Sequence, residues 1–454
     1  MNTRHTEVSP LMARVSTYIA DAARQPLPPN VVEKAKAHIL DTVAAMVSGS
    51  ALKAGISGIT YARQKGGAPE ALVITTDFMT HASNAAFANG MLAHADETDD
   101  SHMASRSHIG CSVVPAALAV AEREGAGGEL FLRSVVLGYD IGSRVLLALN
   151  PLKFHQAGHC THSFAGVFGA TAAVAAICGF SSEQAGWALS YAAQQAAGIT
   201  SWRRAIEHVE KAFVFAGMPA RNAVEAGAMV AVGFTGVNDV FSGHQNFFIT
   251  FGQEANPDLL ADGLGERYEI TETTIKKWTV GSPAQSVLDG VQTLIERHQI
   301  DHEEITKISI QMAPIEIDTV DDRAMPDISL QHLVSLLLLD HELTFESSHN
   351  VARMQDQTVL ALKRKISLVP DVTRERRRAF VTIHLRNGSA FSHKAGPVRG
   401  SPANPMSQNE IVDKAKGLLI PILDEAKGCQ LIDSICSLEK VGNVRELRPL
   451  LRGS

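Results

Sequence analysis

Residues 163–182 read SFAGVFGATAAVAAICGFSS and form the longest uncharged run of the 454-residue chain. A run of this length could cross a bilayer as one helix. However, alanine and glycine dominate it, and small side chains recur at Gly166, Gly169, Ala170 and Ala173, a spacing that lets two helices approach closely. The pattern therefore predicts a buried helix inside a helical bundle and not a membrane span.

The stretches around this run also carry helical periodicity. Apolar residues recur every three or four positions in residues 29–48, opposite a charged face. Residues 71–75 suggest a short strand or a turn. No stretch before about residue 265 alternates clearly between apolar and polar residues, so this block is predicted to be all-helical. Its further predicted helices span residues 82–92, 113–124, 129–149, 182–198 and 201–233.

The pattern changes after residue 265. Residues 267–277 are rich in Thr and Ile, and residues 305–312 and 380–385 alternate as strands do. Helical patterns at 283–298 and 330–338 lie between them, which predicts a smaller α+β domain. After a turn, Ser407 and Glu410 form a capping box that opens another helix. The predicted fold is therefore mainly α, with a large helical domain from residues 1–265 and 399–454 and an inserted α+β lid from residues 266–398.

Composition narrows the classes of function. The chain is 45% hydrophobic, which is enough for a sizeable core, and its formal net charge of −7 disfavours nucleic acid or a membrane surface as partner. The five cysteines have no Cys-x-x-Cys spacing and are odd in number, which predicts reduced thiols in a cytoplasmic protein. The first ten residues, MNTRHTEVSP, show no secretory signal. Without a phosphate-binding loop or dinucleotide fingerprint, no nucleotide cofactor is expected.

Ionisable side chains crowd residues 89–115, NGMLAHADETDDSHMASRSHIGCSVVP. Carboxylates and histidines at such short range suit general acid–base catalysis or a metal. A solvated acidic loop whose histidines cap helix ends is the alternative interpretation. Apolar stretches on both sides, the second a predicted helix with Pro115 in its first turn, favour a pocket.

A second histidine-rich loop, KFHQAGHCTHS, covers residues 153–163. His155, His159 and His162 have spacings that could hold a metal together with a carboxylate. Because Gly158 and the Asn150-Pro151 pair indicate a loop, these spacings do not ensure a common face. No metal site is therefore predicted.

Two lysines lie in contexts that suit an anionic ligand. Lys211 precedes an apolar stretch, where burial would be costly without an anion, although it could equally cover Phe213 and Phe215 with its stem. Lys276 lies shortly before Ser282, predicted as an N-cap with Pro283 in the first helical position. Free amides at that helix start would suit a carboxylate. An ordinary turn with exposed lysines is the alternative.

Several stretches, taken in order, resemble the MmgE/PrpD family. They are NGMLAHADETDDSH, SHIGCSVVPAALAVAE, HSFAGVFGATAAVAA, EKAFVFAGMPARNAVEAGAMVAVGFTG, IKKWTVGSPAQSVLDG and GSPANPMS. That family includes 2-methylcitrate dehydratase, cis-aconitate decarboxylase and iminodisuccinate epimerase. The resemblance implies a helical domain with an inserted lid, a homodimer, and an active site that needs neither metal nor cofactor.

The resemblance also implies site residues. The family's Asp-x-Asp-Asp-Thr signature falls on residues 97–101, so Glu97 replaces the first Asp and Ser101 replaces the Thr. The following histidine falls on His108, one residue late, and the second-loop histidine falls on His159, with His162 as a rival. The family lysines fall on Lys211 and Lys276. A lid tyrosine of the decarboxylase branch has no counterpart, because residues 269–397 contain no Tyr, and Gln285 stands where dehydratases often have His.

The chemistry implied is proton transfer at a carbon next to a carboxylate. His108 would be the base, since a histidine can take and return a proton near neutral pH. Lys211 and Lys276 would hold the carboxylate as charge develops. Ser101, His159 and His162 would orient the substrate, and Glu97 or Asp100 would set a histidine tautomer, with Asp100, Gln285 and Ser282 also near the substrate. A 2-methylcitrate dehydratase-like lyase is expected first; decarboxylation, epimerisation and non-catalytic carboxylate binding remain alternatives.

Overall fold

The computed structural model describes residues 8–453 and is mainly α-helical. Residues 1–7, on which the expectation about a secretory signal partly rests, lie outside the described residues. The chain forms two compact units. The first consists of the chain up to Ala95, Asp99–Thr273, and the chain from Ile411 onward; the second consists of Asp96–Thr98 and Thr274–Glu410. The domain boundaries inferred from sequence stay a prediction.

The first unit is built from helices whose periodicity is visible in the sequence. In chain order they are α1 (Pro10–Asp21), α2 (Pro29–Gly49), α3 (Lys53–Lys65), α4 (Ala82–Ala93), α5 (Gly110–Glu124), α6 (Gly128–Ala148), α7 (Pro151–Gln156), α8 (Thr161–Ile177), α9 (Ser182–Gln195), α10 (Val209–Ala212), α11 (Met218–Ala231) and α12 (Phe247–Phe251). The predicted helices at 29–48, 82–92, 129–149 and 182–198 are confirmed, with ends displaced by a few residues.

Short strands interrupt this helical block, which corrects the all-helical prediction. β1 (Ala71–Leu72) pairs antiparallel with β2 (Met79–Thr80), and β3 (Ser101–His102) follows. Strands of two residues are too short to show an alternating pattern in the sequence. In the Thr- and Ile-rich stretch, only Thr273–Thr274 forms a strand, β4.

Helix α8 is the uncharged run that opens the sequence analysis, and it is buried along its whole length. Its glycines allow close contact with α6. A Cβ at Gly169 would lie 2.4 Å from the carbonyl oxygen of Gly138, and a Cβ at Gly142 would lie 2.5 Å from that of Ala165. The prediction of a small-residue helix packed against another helix is therefore confirmed.

Three local predictions are wrong. Helix α5 begins at Gly110, so Pro115 lies inside the helix and not in its first turn. The earlier start is possible because the Gly110 N–H donates to Asp100 Oδ1 (3.3 Å). Residues 153–163 are not one loop, since they include the end of α7 and the start of α8. Residues 200–231 form more than two helical segments, with a 3₁₀ turn at Thr200–Arg204 and a π-helical turn at Phe213–Gly217 between α10 and α11.

The second unit combines helices with a four-stranded sheet. The sheet order is β6-β5-β7-β8; β6 is parallel to β5, and the other pairs are antiparallel. The predicted strands at 305–312 and 380–385 are confirmed, and inward-facing Ile308, Ile310 and Ile383 belong to the core of this unit. Its elements are α13 (Gln285–His298), β5 (Ile305–Met312), α14 (Pro314–Val320), α15 (Leu330–Asp340), α16 (Phe345–His349), α17 (Gln357–Lys363), β6 (Ile366–Pro370), β7 (Phe380–Leu385) and β8 (Ala390–Lys394).

The C-terminal part of the chain is helical. It contains α18 (Gln408–Leu423), α19 (Glu425–Cys436) and α20 (Arg448–Leu451). The predicted capping box before α18 is confirmed, because the Glu410 N–H donates to Ser407 Oγ (3.3 Å) and the Ser407 N–H donates to Glu410 Oε2 (2.8 Å).

Membrane-spanning potential is limited. Within residues 8–453 no single helix combines the length and hydropathy needed to cross a bilayer. Taken together, α2 and α3 would pass by length and composition, but they are bent by 84° at their junction.

Candidate active site

Asp99 lies at the centre of a buried histidine cluster in the first unit. Its Oδ1 is 3.1 Å from His108 Nδ1 and 3.0 Å from His94 Nδ1. Burial by itself would raise the pKa of Asp99, but the charges and hydrogen bonds of His108 and His94 hold that pKa well below its usual range. Asp99 is therefore a carboxylate that can stabilise a protonated imidazole beside it.

The contact with Asp99 sets the tautomer of His108. If Nδ1–H donates to the carboxylate, the lone pair of the neutral ring is on Nε2. The His108 side chain is 10% exposed, whereas Asp99 and His94 are fully buried. Of the two histidines on Asp99, His108 is thus the one that a substrate can reach.

His162 lies beside His108. Its Nδ1 accepts a hydrogen bond from the backbone N–H of His108 (3.1 Å), which places the ring proton on Nε2. Burial, reinforced by the repulsion from His108, lowers the pKa of His162 well below its usual range. His162 is consequently a neutral imidazole that can donate a hydrogen bond from Nε2 at neutral pH.

The ring of Phe215 packs against two histidines of the cluster, His162 and His94. Its ring stacks on His162 with centroids 3.5 Å apart, and on His94 with centroids 4.6 Å apart. The ring belongs to the π-helical turn Phe213–Gly217, a kind of irregularity that is frequent at functional sites. Sequence reasoning treated Phe215 only as an apolar surface under Lys211.

Lys211 is partly buried and lies over the same aromatic group. Its Nζ is 5.2 Å from the ring centroid of Phe215 and 5.4 Å from that of Trp202. These distances are measured from the ammonium group, so the interpretation that the stem covers Phe213 and Phe215 stays a prediction. Because the Phe215 ring contacts both Lys211 and His162, the ammonium group lies close to His162.

Asp100 lies in a different environment from Asp99. It is fully buried and accepts hydrogen bonds from Tyr139 Oη (2.5 Å), His38 Nδ1 (2.7 Å) and the backbone N–H of Gly110 (3.3 Å). These donors occupy both carboxylate oxygens. Asp100 therefore fixes a histidine tautomer as predicted, but it is the tautomer of His38, and the predicted contact with substrate is not supported by this burial.

The remaining predicted residues of the first unit lie apart from this cluster. The ring contacts of His159 are with Phe154, Phe164 and Phe251, and burial lowers its pKa. Of the two rival histidines, only His162 has a ring contact with His108 among the described residues. Ser101 is buried in strand β3.

Two predicted residues meet in the second unit. Lys276 is 1% exposed, and its Nζ donates a hydrogen bond to the backbone carbonyl of Glu97 (2.5 Å) and lies 3.9 Å from Glu97 Oε2. The neighbouring Asp96 is held by His349, whose Nε2 is 2.9 Å from Asp96 Oδ2. Segment 96–98 is thus fixed in its unit by two cationic side chains.

Gln285 and Ser282 lie at and just before the start of α13, where their contacts indicate a structural role. Gln285 donates to the carbonyls of Trp278 (2.8 Å) and Val280 (3.0 Å) and accepts from the Trp278 N–H (3.2 Å), so its amide shapes the turn before α13. Ser282 is not the predicted N-cap. It lies inside a 3₁₀ turn capped by Gly281, where its hydroxyl accepts no backbone hydrogen bond, and α13 begins only at Gln285.

Metal-ligating side chains converge within residues 89–115, the stretch whose histidines and carboxylates suit acid–base catalysis or a metal. Ligand atoms of His94, Asp99 and Cys111 all lie within 4.8 Å of one another, and the three residues are buried. None of His155, His159 and His162 belongs to a group of this kind within residues 8–453.

Asp99, His94 and Phe215 were not assigned roles from sequence. Asp99 lies within the signature at residues 97–101, and that position was the available signal. His94 and Phe215 carry no comparable signal, because their contacts depend on α4 and the π-helical turn meeting in space.

Comparison with known proteins covers nearly the whole chain. Residues 13–260 match the MmgE/PrpD N-terminal domain and residues 278–438 match the MmgE/PrpD C-terminal domain. The chain is 23% identical to the cis-aconitate decarboxylase-like protein oryM of Aspergillus oryzae, over 97% of each protein. It is 22% identical to the cis-aconitate decarboxylase of Homo sapiens, over 93% of this chain and 90% of that protein. The cis-aconitate decarboxylase of Aspergillus terreus is 22% identical over 98% of this chain and 96% of its own length. Because the two domain matches together cover most of its length, the chain belongs to the MmgE/PrpD family.

Proposed function

We propose that this protein is a lyase that acts on a small di- or tricarboxylate by moving a proton at the carbon next to a carboxylate. The observation that carries the proposal is the Asp99–His108 pair, in which a buried carboxylate holds a partly accessible imidazole. A carbon acid needs a base of this kind, and an anion beside the imidazole stabilises the imidazolium that forms when the base takes the proton.

Besides a base, the reaction needs groups that bind negative charge, and residues near His108 can supply them. Lys211 supplies an ammonium group and His162 a neutral N–H donor, and both contact the Phe215 ring. Such donors stabilise the enolate-like charge that grows on a carboxylate when the adjacent carbon loses a proton. We assign Asp99 to positioning of His108, and Asp100 to positioning of the loop.

Other residues remain in the proposal through the family resemblance. Lys276 is assigned to carboxylate binding and Glu97 to positioning. Ser101 and His159 are assigned to substrate orientation. Gln285 and Ser282 are assigned to the shape of the turn that follows Lys276.

Two lyase reactions compete within this class. The names of the relatives make decarboxylation of cis-aconitate the first reaction to test. The lack of Tyr in residues 269–397 favours instead a dehydration of the 2-methylcitrate type. Both reactions need the same proton carrier and the same cationic groups.

Incubation of the purified protein with cis-aconitate, 2-methylcitrate, citrate and iminodisuccinate distinguishes the reactions by product. Release of CO₂ indicates decarboxylation, formation of a conjugated double bond with loss of water indicates dehydration, and a change of optical rotation alone indicates epimerisation. We expect a lyase product from one of the tricarboxylates, and the His108→Ala variant should lose it. No change of any carboxylate would favour the non-catalytic alternative.

A further inference from the structure

His94 makes a poor set of hydrogen bonds for a fully buried imidazole. Its Nδ1 pairs with Asp99 Oδ1 at 3.0 Å, but its Nε2 has no hydrogen-bond partner among the described residues. Buried polar atoms are nearly always satisfied, and an exception calls for a ligand or an ion. The surroundings of His94 therefore decide what it can bind.

Two further donors lie within ligand distance of His94. A carboxylate oxygen of Asp99 and Sγ of Cys111 are each within 4.8 Å of a His94 ring nitrogen and of one another. Imidazole, carboxylate and thiolate are the ligand types that Zn²⁺ takes in proteins, and three protein ligands with one open position are a common arrangement.

The charge of this group matches a divalent cation. A metal takes a histidine as neutral imidazole and an aspartate as carboxylate, so His94 adds no charge and Asp99 adds one negative charge. Loss of the Cys111 proton adds a second negative charge. A divalent ion with these three ligands has no net charge, which limits the cost of burying it.

The surrounding contacts hold the ligands in place. The Phe215 ring stacks on His94 at an interplanar angle of 16° and restricts its rotation. Cys111 lies in the first turn of α5, where the amide dipoles at a helix start favour a thiolate. Its thiol donates to the His108 carbonyl oxygen (3.5 Å), a contact that the bond to the metal replaces when the proton leaves. Such outer contacts orient the ligands of a metal site.

We propose that His94, Asp99 and Cys111 form an inhibitory site for a thiophilic divalent cation such as Zn²⁺. In the binding step the Cys111 S–H bond breaks, its proton leaves to solvent, and the sulfur electron pair forms the bond to the metal; no oxidation occurs. The metal takes the carboxylate of Asp99, which then no longer holds His108. The binding part of this inference stands on the ligand geometry, and the inhibition rests on the proposed function.

Metal binding is tested on the full-length protein after EDTA treatment and removal of the chelator. Equilibrium dialysis against Zn²⁺ should show a site in the wild type that Cys111→Ser weakens. Loss of an outer-shell partner alone costs about 10- to 100-fold in metal affinity, so loss of a direct ligand should cost at least as much. Cys178→Ser, a cysteine outside the group, is the matched control and should keep the wild-type affinity.

Co²⁺ in place of Zn²⁺ gives a readout that does not depend on activity. A thiolate-to-cobalt charge-transfer band should appear in the wild type and in Cys178→Ser and be missing from Cys111→Ser. Circular dichroism checks that the variant is folded, and Cys111→Ala replaces it if it is not. Absence of the band from the wild type, or an equal band in the Cys111 variants, overturns the proposal.

Inhibition is tested by titrating Zn²⁺ into a turnover assay. The rate should fall in the wild type and recover with EDTA, and Cys111→Ser should need about tenfold more Zn²⁺ or higher to halve its own metal-free rate. Loss of activity on chelation, restored by Zn²⁺, overturns the inhibitory role. If no carboxylate is turned over, the proposed function fails, and the dialysis and the Co²⁺ spectrum still decide the metal site.

Discussion

At Asp99 a single carboxylate oxygen serves two imidazoles, His94 and His108. The two rings differ in access, since His94 is fully buried and His108 is 10% exposed. The buried Asp99 carboxylate keeps its contacts with both rings, because a buried charge without a partner would be costly. We infer that Asp99 and His94 position His108, and that His108 alone of these residues meets the substrate.

The Asp99→Asn variant tests this positioning role. The amide keeps the size of the side chain and an acceptor oxygen but removes the charge that stabilises protonated His108. Turnover should fall by a factor on the order of 100 to 10,000 while KM changes little, because the base loses the group that positions it. Steady-state kinetics measures both.

Asp77→Asn is the matched control, since the Asp77 side chain is 88% exposed and pairs only with Arg63 among the ion pairs of the described residues. It should retain the wild-type kcat and KM. An unchanged kcat in Asp99→Asn would show that Asp99 has only a structural role.

The acidic stretch itself could be found from sequence, but the role of each carboxylate could not. Asp96, Asp99 and Asp100 are close in sequence, yet they contact His349, His108 and His38 respectively. Which partner each one meets depends on the turn at residues 96–98, where Asp96 accepts from the Thr98 N–H (3.0 Å). Composition and spacing carry no information about that backbone path.

At the scale of elements, the π-helical turn Phe213–Gly217 connects α10, with Lys211, to α11. Its Phe215 contacts His94, His162 and Lys211. An ordinary helical turn would rotate this ring away from one of its neighbours, because each extra residue changes the direction of the side chains that follow. The turn therefore has a geometric reason to be irregular.

Replacement of Phe215 by Leu should lower turnover more than it lowers stability. Aromatic ring contacts contribute about 0.5–1.5 kcal/mol each beyond area burial, so loosening two histidines should reduce kcat by about tenfold. Phe234→Leu, at a half-exposed ring outside the cluster, is the control. Equal losses in both variants, measured by kcat and by thermal unfolding, would contradict a role for Phe215 in the site.

Helix α16 and segment 96–98 are joined by a buried ion pair in the second unit. His349 Nδ1 is 2.8 Å from the Phe345 carbonyl oxygen, and Nε2 is 2.9 Å from Asp96 Oδ2. Burial alone would lower the pKa of His349, but the hydrogen bond and the charge of Asp96 raise that pKa from 6.5 to about 9. Folding therefore favours the protonated imidazole.

The sign of the pH dependence follows from this raised pKa. The pair contributes its full stability below about pH 6.5, and the contribution is lost as pH rises through about 9. The loss should be on the order of 3 kcal/mol at most, since one pKa unit corresponds to about 1.4 kcal/mol. Chemical unfolding followed by Trp278 fluorescence, in a Trp187→Phe, Trp202→Phe background, reports on this unit.

Asp96→Asn removes the partner charge and should flatten the alkaline loss of stability. Asp301→Asn, which changes an exposed carboxylate 3.8 Å from the partly exposed His302, is the matched control and should keep the wild-type pH dependence. The same alkaline slope in Asp96→Asn as in the wild type would mean that another group titrates.

For the whole molecule, the apolar pattern was sufficient for strands β5 and β7, which bury alternate residues, and for the long helices, including α8, which is buried all round. The pattern did not predict helix ends that depend on a side chain from outside the helix. The start of α5, where Asp100 accepts from the Gly110 N–H, is an example. The clustering of His94, His108 and His162 was not predictable in detail, because helices α4, α5 and α8 approach one another through packing and not through local sequence.

Packing also changes the argument for a homodimer. The small-residue helix α8 offers no surface to a second copy, because every residue of α8 is buried within a single chain. The homodimer stays a prediction from the family resemblance. Light scattering at micromolar concentration should give twice the mass of the chain, unchanged at high ionic strength if the interface is mainly apolar. A monomeric mass would contradict it.

The proposed function gives His108 and Lys276 different roles, the first as base and the second as a cation that binds the substrate carboxylate. His108→Ala should cut kcat by a factor on the order of 100 to 10,000 while KM changes little, because a base acts in the transition state.

Lys276→Ala should raise KM and lower kcat together, since an ion pair with the substrate exists in the ground state and strengthens as charge develops. Hydrogen bonds to charged groups contribute about 1.5–3 kcal/mol, so kcat/KM should fall by about one to two orders of magnitude. Lys277→Ala is the matched control, because the Lys277 ammonium bonds Gln292 and lies over the Trp278 ring. If Lys276→Ala and Lys277→Ala have the same kinetics as the wild type, Lys276 does not bind the substrate carboxylate, and Lys211 carries that role alone.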